Sequence, residues 1–166
     1  MSRAMKSFFV VFVFVLAAAG SMLAAAKDKP IDFSGTWKLN MKQSRGAPDW
    51  RPDTVLVVLQ SPYQIHFAFF LNSDVDQPFQ KFDYVTNGKE RQLYATGNEI
   101  AYGSARWSNN KALEVRTHHV VRAEIADTEW TETETWVLSP DGKTLTNKSS
   151  DKKVIVYDKQ DRDKAY

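Results

Sequence analysis

The chain has 166 residues, of which 22 are lysine or arginine and 20 are aspartate or glutamate, and it contains no cysteine. This length suits one domain and is sufficient for a hydrophobic core that needs no disulfides. The absence of cysteine excludes thiol catalysis and cysteine-ligated metals. Because no basic tract clusters on one element, a nucleic-acid partner is not expected.

Residues 1–26 have the pattern of a secretory signal peptide. Arg3 and Lys6 make a basic start, residues 8–19 are an apolar run, and residues 24–26 form a small-residue cleavage site. The competing interpretation is a retained membrane anchor, because the apolar run approaches the roughly 20 residues that a bilayer requires. We expect cleavage, and therefore a secreted or periplasmic protein without a membrane span. The leader holds two of the basic residues and no acidic one, so the remaining chain has no net formal charge.

The rest of the chain consists of short extended runs separated by turn signals, without helical periodicity. The strongest hairpin signal is Asn87–Gly88, because both residues accept a positive φ. The predicted strands cover residues 35–40, 54–60, 63–72, 79–86, 91–96, 99–107, 112–125, 128–139, 144–150 and 152–159.

Evenly spaced strands joined by tight turns predict an all-β domain over residues 27–160, followed by a polar tail at residues 161–166. We expect an antiparallel up-and-down meander of about 8–10 strands that closes into a barrel, because closure removes exposed strand edges. A two-sheet β-sandwich is the alternative.

Two adjacent histidines, His118 and His119, point to opposite faces of an extended strand and cannot bind one metal ion together. His119 has the parity of Leu113 and Val115, so we expect it inside the domain. There it would be either a hydrogen-bonded interior imidazole or a contact for a ligand. His66 has no second histidine or carboxylate at ligand spacing, so no metal site is predicted.

Simple alternation puts four side chains of residues 128–139 on one face: Trp130, Glu132, Glu134 and Trp136. Glutamates are far commoner on a solvated face, whereas tryptophans are usually well buried, so the sequence leaves open which face points inward. Two glutamates in the interior would indicate a function, because buried carboxylates need partners.

Motifs of common enzyme classes are missing from the sequence. It has no G-x-S-x-G nucleophile elbow, no phosphate-binding glycine loop and no dinucleotide fingerprint. We therefore expect no catalytic residue, no cofactor and no enzymatic activity. A cofactor-free barrel enzyme acting through Glu132, Glu134 or His119 is the least favoured hypothesis.

Aromatic residues make up 13% of the chain and are spread over its whole length. On a closed sheet they would either fill the interior or surround a cavity for one apolar or amphipathic ligand. Gly35 and Trp37 are predicted to form the base of the barrel, with Gly35 allowing a close approach of the chain. The candidates for the cavity wall are Phe67, Phe69, Tyr84, Tyr102, Trp107, His119, Trp130 and Trp136.

The opening Gly35-Thr36-Trp37 resembles the G-x-W start of lipocalins and related calycin barrels, and GTWKL is also similar to the start of fatty-acid-binding proteins. Together with Ser44, SPDGKTLT (139–146) and VIVYDKQ (154–160), it resembles small secreted bacterial proteins with lipocalin-like folds. The resemblance implies a lipocalin-like barrel. The arginine that holds a fatty-acid carboxylate in fatty-acid-binding proteins would fall at Ile155, so no ligand identity carries over.

The sequence therefore predicts an exported, monomeric, non-enzymatic protein that binds a small hydrophobic or amphipathic molecule. The alternative is a structural or interaction module of the cell envelope, with a barrel filled by its own side chains. The two hypotheses differ in whether the barrel encloses a void.

Overall fold

The computed structural model describes residues 29–47, 51–71 and 76–161, so the predicted leader and the tail beyond residue 161 lie outside the described residues. Every helix or strand in these ranges is a β-strand. The ten strands are β1 (Gly35–Leu39), β2 (Thr54–Gln60), β3 (Gln64–Leu71), β4 (Gln80–Val85), β5 (Arg91–Thr96), β6 (Glu99–Ser108), β7 (Ala112–Val121), β8 (Thr128–Leu138), β9 (Thr144–Ser149) and β10 (Val154–Lys159).

The ten described strands form one antiparallel sheet in the order β4-β3-β2-β1-β10-β9-β8-β7-β6-β5. Strands that follow one another in sequence pair with each other, except β4 and β5, and the first strand pairs with the last, with Trp37 opposite Lys159. This up-and-down arrangement curls into a nearly closed barrel, which confirms the predicted all-β meander. The sandwich alternative is wrong, because the described strands belong to a single sheet.

The segment around Asn87 and Gly88 does not form the predicted hairpin. β4 and β5 lie at the two edges of the sheet, and the link between them meets β6 instead. Asn87 forms a bridge with Arg106, and the Gly88 amide donates to the Ala105 carbonyl (2.8 Å). Gly88 has the positive φ that the turn chemistry favours, at 76°, and Asn87 does not. The chain changes direction at Asn87–Gly88, but this segment pairs with β6 instead of joining β4 and β5 in a hairpin.

Strand β7 ends earlier than the alternation of its sequence predicts. It stops at Val121 instead of residue 125, and its ladder with β8 ends at the Val121–Thr128 pair. In the loop that follows, Ile125 is almost completely exposed, at 99%. The remaining predicted strand ends agree with the observed ones to within two residues.

One end of the barrel is covered by the chain that precedes β1. The Ile31 amide donates to the Asn110 carbonyl in the β6–β7 turn (2.9 Å), and Gln60 Nε2 at the end of β2 donates to the Ile31 carbonyl (2.9 Å). The segment therefore crosses the barrel end from β2 to β6. Phe33 and Trp37 are fully buried there, and Trp37 Nε1 donates to the Phe33 carbonyl (3.1 Å).

Gly35 lies at the same closed end and has a φ of 150°, which L side chains rarely adopt. A Cβ at this position would lie 3.5 Å from Trp37 Nε1 and 3.4 Å from Lys159 Cε. Both residues that were predicted to form the barrel base are thus found at the covered end.

The hydrophobic core fills this closed half and extends to the floor of the other half, and it is built from alternate residues of each strand that point inward. In β2 the inward positions are Leu56 and Val58, and in β7 they are Leu113 and Val115. The core cluster of buried residues contains Phe33, Trp37, Leu39, Leu56, Val58, Ile65, Phe67, Tyr84, Ala105, Leu113, Val115, Trp136, Leu145 and Tyr157.

Candidate functional site

The other half of the barrel encloses a cavity of about 390 Å³. This volume lies within the range of roughly 300–1,000 Å³ that is usual for small-molecule pockets. The aromatic part of its wall consists of Phe67, Phe69, Phe79, Phe82, Tyr84, Tyr94, Trp136 and Tyr157. The polar part includes Thr117, His119, Glu132, Glu134, Asn147, Ser149, Asp151 and Lys153. The barrel interior is therefore only partly filled by its own side chains.

Strand β8 turns two of its three glutamates, Glu132 and Glu134, and both its tryptophans inward. Trp136 is only 3% exposed, and Glu134 and Glu132 line the cavity above it. Glu132 lies closer to the mouth, with 59% of its side chain accessible. Glu132 and Glu134 thus do not lie on the solvated face, where glutamates are more common. The arrangement is the one that the sequence analysis linked to function.

Glu134 is hydrogen-bonded through one oxygen only. Asn147 Nδ2 (2.9 Å) and Trp136 Nε1 (3.1 Å) both donate to its Oε2, and among the described residues Oε1 has no partner. Asn147 reaches the carboxylate because the β8–β9 register sets it opposite Trp136. Burial raises the pKa of Glu134 above its ordinary value of 4.5, although the two hydrogen bonds act against this rise, and the charges of Glu132 and Asp151 add to it.

His119 on β7 belongs to a second polar group. Its Nδ1 lies 3.1 Å from Glu99 Oε1, and the Tyr94 hydroxyl donates to the same oxygen (2.7 Å). Since an ionised carboxylate only accepts, Nδ1 is the donor. The buried Nε2 has no hydrogen-bond partner in the described part of the chain and lies 3.9 Å from Glu132 Oε2. The Trp130 ring is stacked on the imidazole, with 4.6 Å between the ring centroids.

The pKa values of the phenols on the cavity wall are raised, mainly by burial and further by neighbouring carboxylates. Burial and then the hydrogen bond to Glu99 raise the pKa of Tyr94 to about 12. Burial raises the pKa of Tyr84 and of Tyr157, and Glu134 raises both further. In return, the hydrogen bonds from Tyr94 and His119 hold the pKa of Glu99 below its ordinary value.

The positive side chains that line the cavity lie at its mouth. Lys153 Nζ is 2.6 Å from Asp151 Oδ2, and the hydrogen bonds from Lys153 and Ser149 lower the pKa of Asp151 to about 2. The guanidinium of Arg51 lies over the Phe79 ring, 3.8 Å from its centroid. Positive charge is thus held at the rim, whereas the carboxyl group of Glu134 lies deeper.

Most of the predicted wall residues do line the cavity, namely Phe67, Phe69, Tyr84, His119 and Trp136. The aromatic ones among them are in contact: the rings of Phe67 and Trp136 are stacked at 4.7 Å, and those of Phe67 and Tyr84 are 6.2 Å apart. Trp130 lies on the same inward face, but it is at the rim and 41% exposed.

Two predicted wall residues, Tyr102 and Trp107, do not line the cavity. Tyr102 points outward, because its neighbours Ala101 and Gly103 take the buried inward positions of β6, and its ring lies 6.2 Å from that of His118 on the outer face. Trp107 points inward but at the closed end, where it packs edge-on against Phe33 (5.1 Å).

The sequence analysis did not single out Glu99, Asn147 and Tyr157. Alternation along the closing strand could have identified Tyr157 as inward. Asn147 can be identified as a partner of Glu134 only from the pairing register of β8 and β9. Glu99 can be identified only from the β5–β6 hairpin, which brings it beside Tyr94. The residues that hydrogen-bond to the polar side chains of the cavity are therefore identified by the tertiary structure and not by the sequence pattern.

Within the described ranges, no group of three or more histidine, cysteine, aspartate or glutamate side chains is arranged to hold a metal ion. The same residues contain no helix that is long and apolar enough to span a membrane. No protein-family model and no curated protein matches this chain. The fold and the chemistry of the cavity are therefore the features that indicate a function.

Proposed function

We propose that this chain is an exported, lipocalin-like binding protein for one small hydrophobic or amphipathic molecule, with no chemistry of its own. The observation that carries the proposal is the cavity of about 390 Å³ with aromatic walls and a few polar groups. Ligand pockets have this composition, because apolar walls supply affinity and a few placed polar groups supply orientation.

The void favours a binding protein over a structural module of the envelope. A structural barrel gains stability when side chains fill its interior, since close packing contributes both dispersion energy and burial of apolar surface. In the closed half the interior is packed in this way. In the open half the aromatic rings surround a space, and buried Nε2 of His119 has no described partner.

A second candidate, a cofactor-free enzyme, is favoured by one specific observation: His119, Glu132 and Glu134 line the same cavity. With Nδ1 bonded to Glu99, Nε2 of His119 is placed to accept a proton from a bound molecule. The test is to incubate an identified ligand with the protein and with His119→Gln and to follow its mass. A ligand that is chemically unchanged by both proteins rules this candidate out.

Binding is tested on protein purified after expression of the full chain in a secretion-competent bacterial host. Native mass spectrometry searches for a co-purified molecule, and tryptophan fluorescence follows titration with amphiphiles, since Trp136 lines the cavity. We expect a saturable change in emission. A ligand-free protein without response to any amphiphile of a broad panel contradicts the proposal.

A matched pair of variants on β7 separates cavity binding from binding to the surface. Thr117 lines the cavity, whereas its neighbour Arg116 is exposed on the outer face. Thr117→Phe places a ring in the cavity and should abolish the response, and Arg116→Phe should leave it intact. Circular dichroism verifies that both variants fold. An equal response of the two variants assigns binding to a site outside the cavity.

The same expression tests export. We expect the protein in the periplasm or the medium, with an intact mass that corresponds to cleavage after Ala26. An uncleaved chain in the membrane fraction contradicts the proposed export and supports the membrane-anchor interpretation of the leader.

A further inference from the structure

The deep wall of the cavity offers a hydrogen-bond acceptor that this chain does not satisfy. Both donors near Glu134, Asn147 Nδ2 and Trp136 Nε1, reach Oε2, and Oε1 has no partner among the described residues. Oε1 is accessible from the cavity, where water or a ligand can donate to it, and a ligand that displaces this water has to replace its hydrogen bond. The free oxygen therefore indicates where a donor group of a ligand fits.

The charges around Glu134 indicate which charge a ligand group at Oε1 should carry. Glu132 faces the cavity from the same strand, and Asp151 faces it from the β9–β10 turn. The described cations do not form an ion pair with Glu134: Lys153 is held by Asp151 at 2.6 Å, and Arg51 lies over the Phe79 ring at the rim. The remaining titratable groups around the cavity are Tyr84, Tyr94, Tyr157 and His119. A positively charged donor is thus favoured, and an anion is repelled.

Aromatic rings surround the same position. Trp136, which donates to Glu134, is stacked on Phe67 at 4.7 Å and lies 6.1 Å from the ring of Tyr157. Phe67 in turn contacts Tyr84 with 6.2 Å between centroids. Faces of aromatic rings attract organic cations, and they also provide apolar surface for a hydrocarbon group. The wall thus suits both parts of an amphipathic cation.

We propose that the ligand is an amphipathic organic amine whose ammonium group donates to Glu134 Oε1, while its hydrocarbon part lies along the rings of Phe67, Tyr84, Trp136 and Tyr157. This inference rests on the proposed binding function and specifies its ligand class. A fatty acid with its carboxylate at this position is the wrong partner, because none of the described cations forms an ion pair at Glu134 that could neutralise a second carboxylate there.

The test compares decylamine, decanol and decanoate, which share a chain length and differ in the head group. Tryptophan fluorescence titrations use the wild-type protein and two variants, Glu134→Gln in the cavity and Glu129→Gln at an exposed position on the outer face of β8. A charge-assisted hydrogen bond is worth more than a tenfold difference in Kd. We expect decylamine to bind wild type at least tenfold more tightly than decanol or decanoate.

Glu134→Gln should weaken decylamine binding at least tenfold and leave decanol binding unchanged, and Glu129→Gln should alter neither. Decanoate binding as tightly as decylamine, or an amine affinity that Glu134→Gln does not change, overturns the inference and leaves the binding function standing. Failure of all three probes to bind contradicts both. The comparison of probes on wild type needs no variant, so the inference stays testable if Glu134→Gln does not fold.

Discussion

The two halves of this barrel are built from the same strands and differ in the residues at their inward positions. From the closed end to the mouth, β7 presents Leu113, Val115, Thr117 and His119, and β8 presents Trp136, Glu134, Glu132 and Trp130. β9 changes in the same way, from Leu145 to Asn147 and Ser149. The change from apolar to polar thus occurs on three neighbouring strands and is displaced by one inward position from each strand to the next, since Asn147 lies opposite Trp136 and Glu134 lies opposite Val115.

This coincidence has a physical reason. Neighbouring inward side chains on paired strands lie about 4.5–5.5 Å apart, so a polar residue on one strand is satisfied most easily by a polar residue on the next. Glu134 obtains one donor from Asn147, which lies diagonally across the β8–β9 pair because the register sets it opposite Trp136. The lower layer of the barrel can then pack as an ordinary core while the upper layer keeps hydrogen-bonding groups around a space. The comparison of the halves therefore separates residues that maintain the fold from residues available to a ligand.

The largest expected effect comes from truncating the closed end. Phe33 is fully buried against Trp107, so Phe33→Ala should lower the free energy of unfolding by about 3–5 kcal/mol. Phe79→Ala, at the mouth and 36% exposed, should cost only about 1 kcal/mol. Urea denaturation followed by fluorescence measures both. Equal losses would show that the two ends do not differ in packing.

A second substitution tests how far close packing extends toward the mouth. A Cβ at Gly103 would come within 2.6 Å of both Leu93 Cδ1 and Tyr84 Cε1, so Gly103→Ala should destabilise the barrel by about 1–3 kcal/mol. In the background of Leu93→Ala the same change should cost less, because the clash with Leu93 is then removed and only that with Tyr84 remains. A double-mutant cycle of unfolding free energies measures the coupling, and strictly additive losses contradict the close approach.

The acid in the open half should affect stability in a pH-dependent manner. The pKa of Glu134 is raised in the folded state, so between about pH 4.5 and its folded pKa the folded protein binds more protons than the unfolded one. The free energy of unfolding contributed by this group consequently falls as pH rises through that window. Glu134→Gln should be more stable than wild type at pH 7, and the gain should disappear below pH 4.5.

Thermal unfolding of both proteins across this pH range provides the measurement, and the difference between them isolates Glu134 from the other carboxylates. Glu124→Gln, at an exposed position of the loop after β7, serves as the control and should show no such trend. A stability difference that is constant with pH would argue against a raised pKa for Glu134.

The smallest effect is expected on the outer surface, which belongs to neither half of the interior. The Arg106 guanidinium lies 2.8 Å from Glu114 Oε1, and its side chain is 67% exposed. Arg106→Ala should therefore cost only about 0.2–1 kcal/mol, and less at high salt, because water and ions screen the pair. Urea denaturation at two salt concentrations checks this. A loss comparable with that of Phe33→Ala would contradict the assignment of stability to the interior.

The fold was largely predictable from local patterns, since alternation and turn residues identify strands. The pairing of β6 with the link after β4 was not, because the choice between a hairpin and a more distant partner depends on the circumference of the closed sheet. Tyr102 illustrates a related limit. Its aromatic character suggested the wall, but the parity of Ala101 and Gly103 turns it outward.

The site was predictable in its aromatic part and less so in its polar part. Alternation correctly grouped Trp130, Glu132, Glu134 and Trp136, but only packing decides which face of β8 turns inward. The hydrogen bonds of Glu134 and His119 come from residues on other strands, at sequence separations of 13 and 20. Such partners are fixed by register and curvature, which a single sequence does not display.

The interrupted ladder between β4 and β5 has a mechanical consequence. Widening the barrel elsewhere requires breaking rows of backbone hydrogen bonds, whereas in the upper part of this seam none joins the two described edges. Below it, a backbone hydrogen bond from the Gly88 amide to the Ala105 carbonyl of β6 holds the link after β4 against the sheet. Directly above this hydrogen bond the two edges are bridged by side chains, since Leu93 of β5 and Tyr84 of β4 both lie next to Gly103.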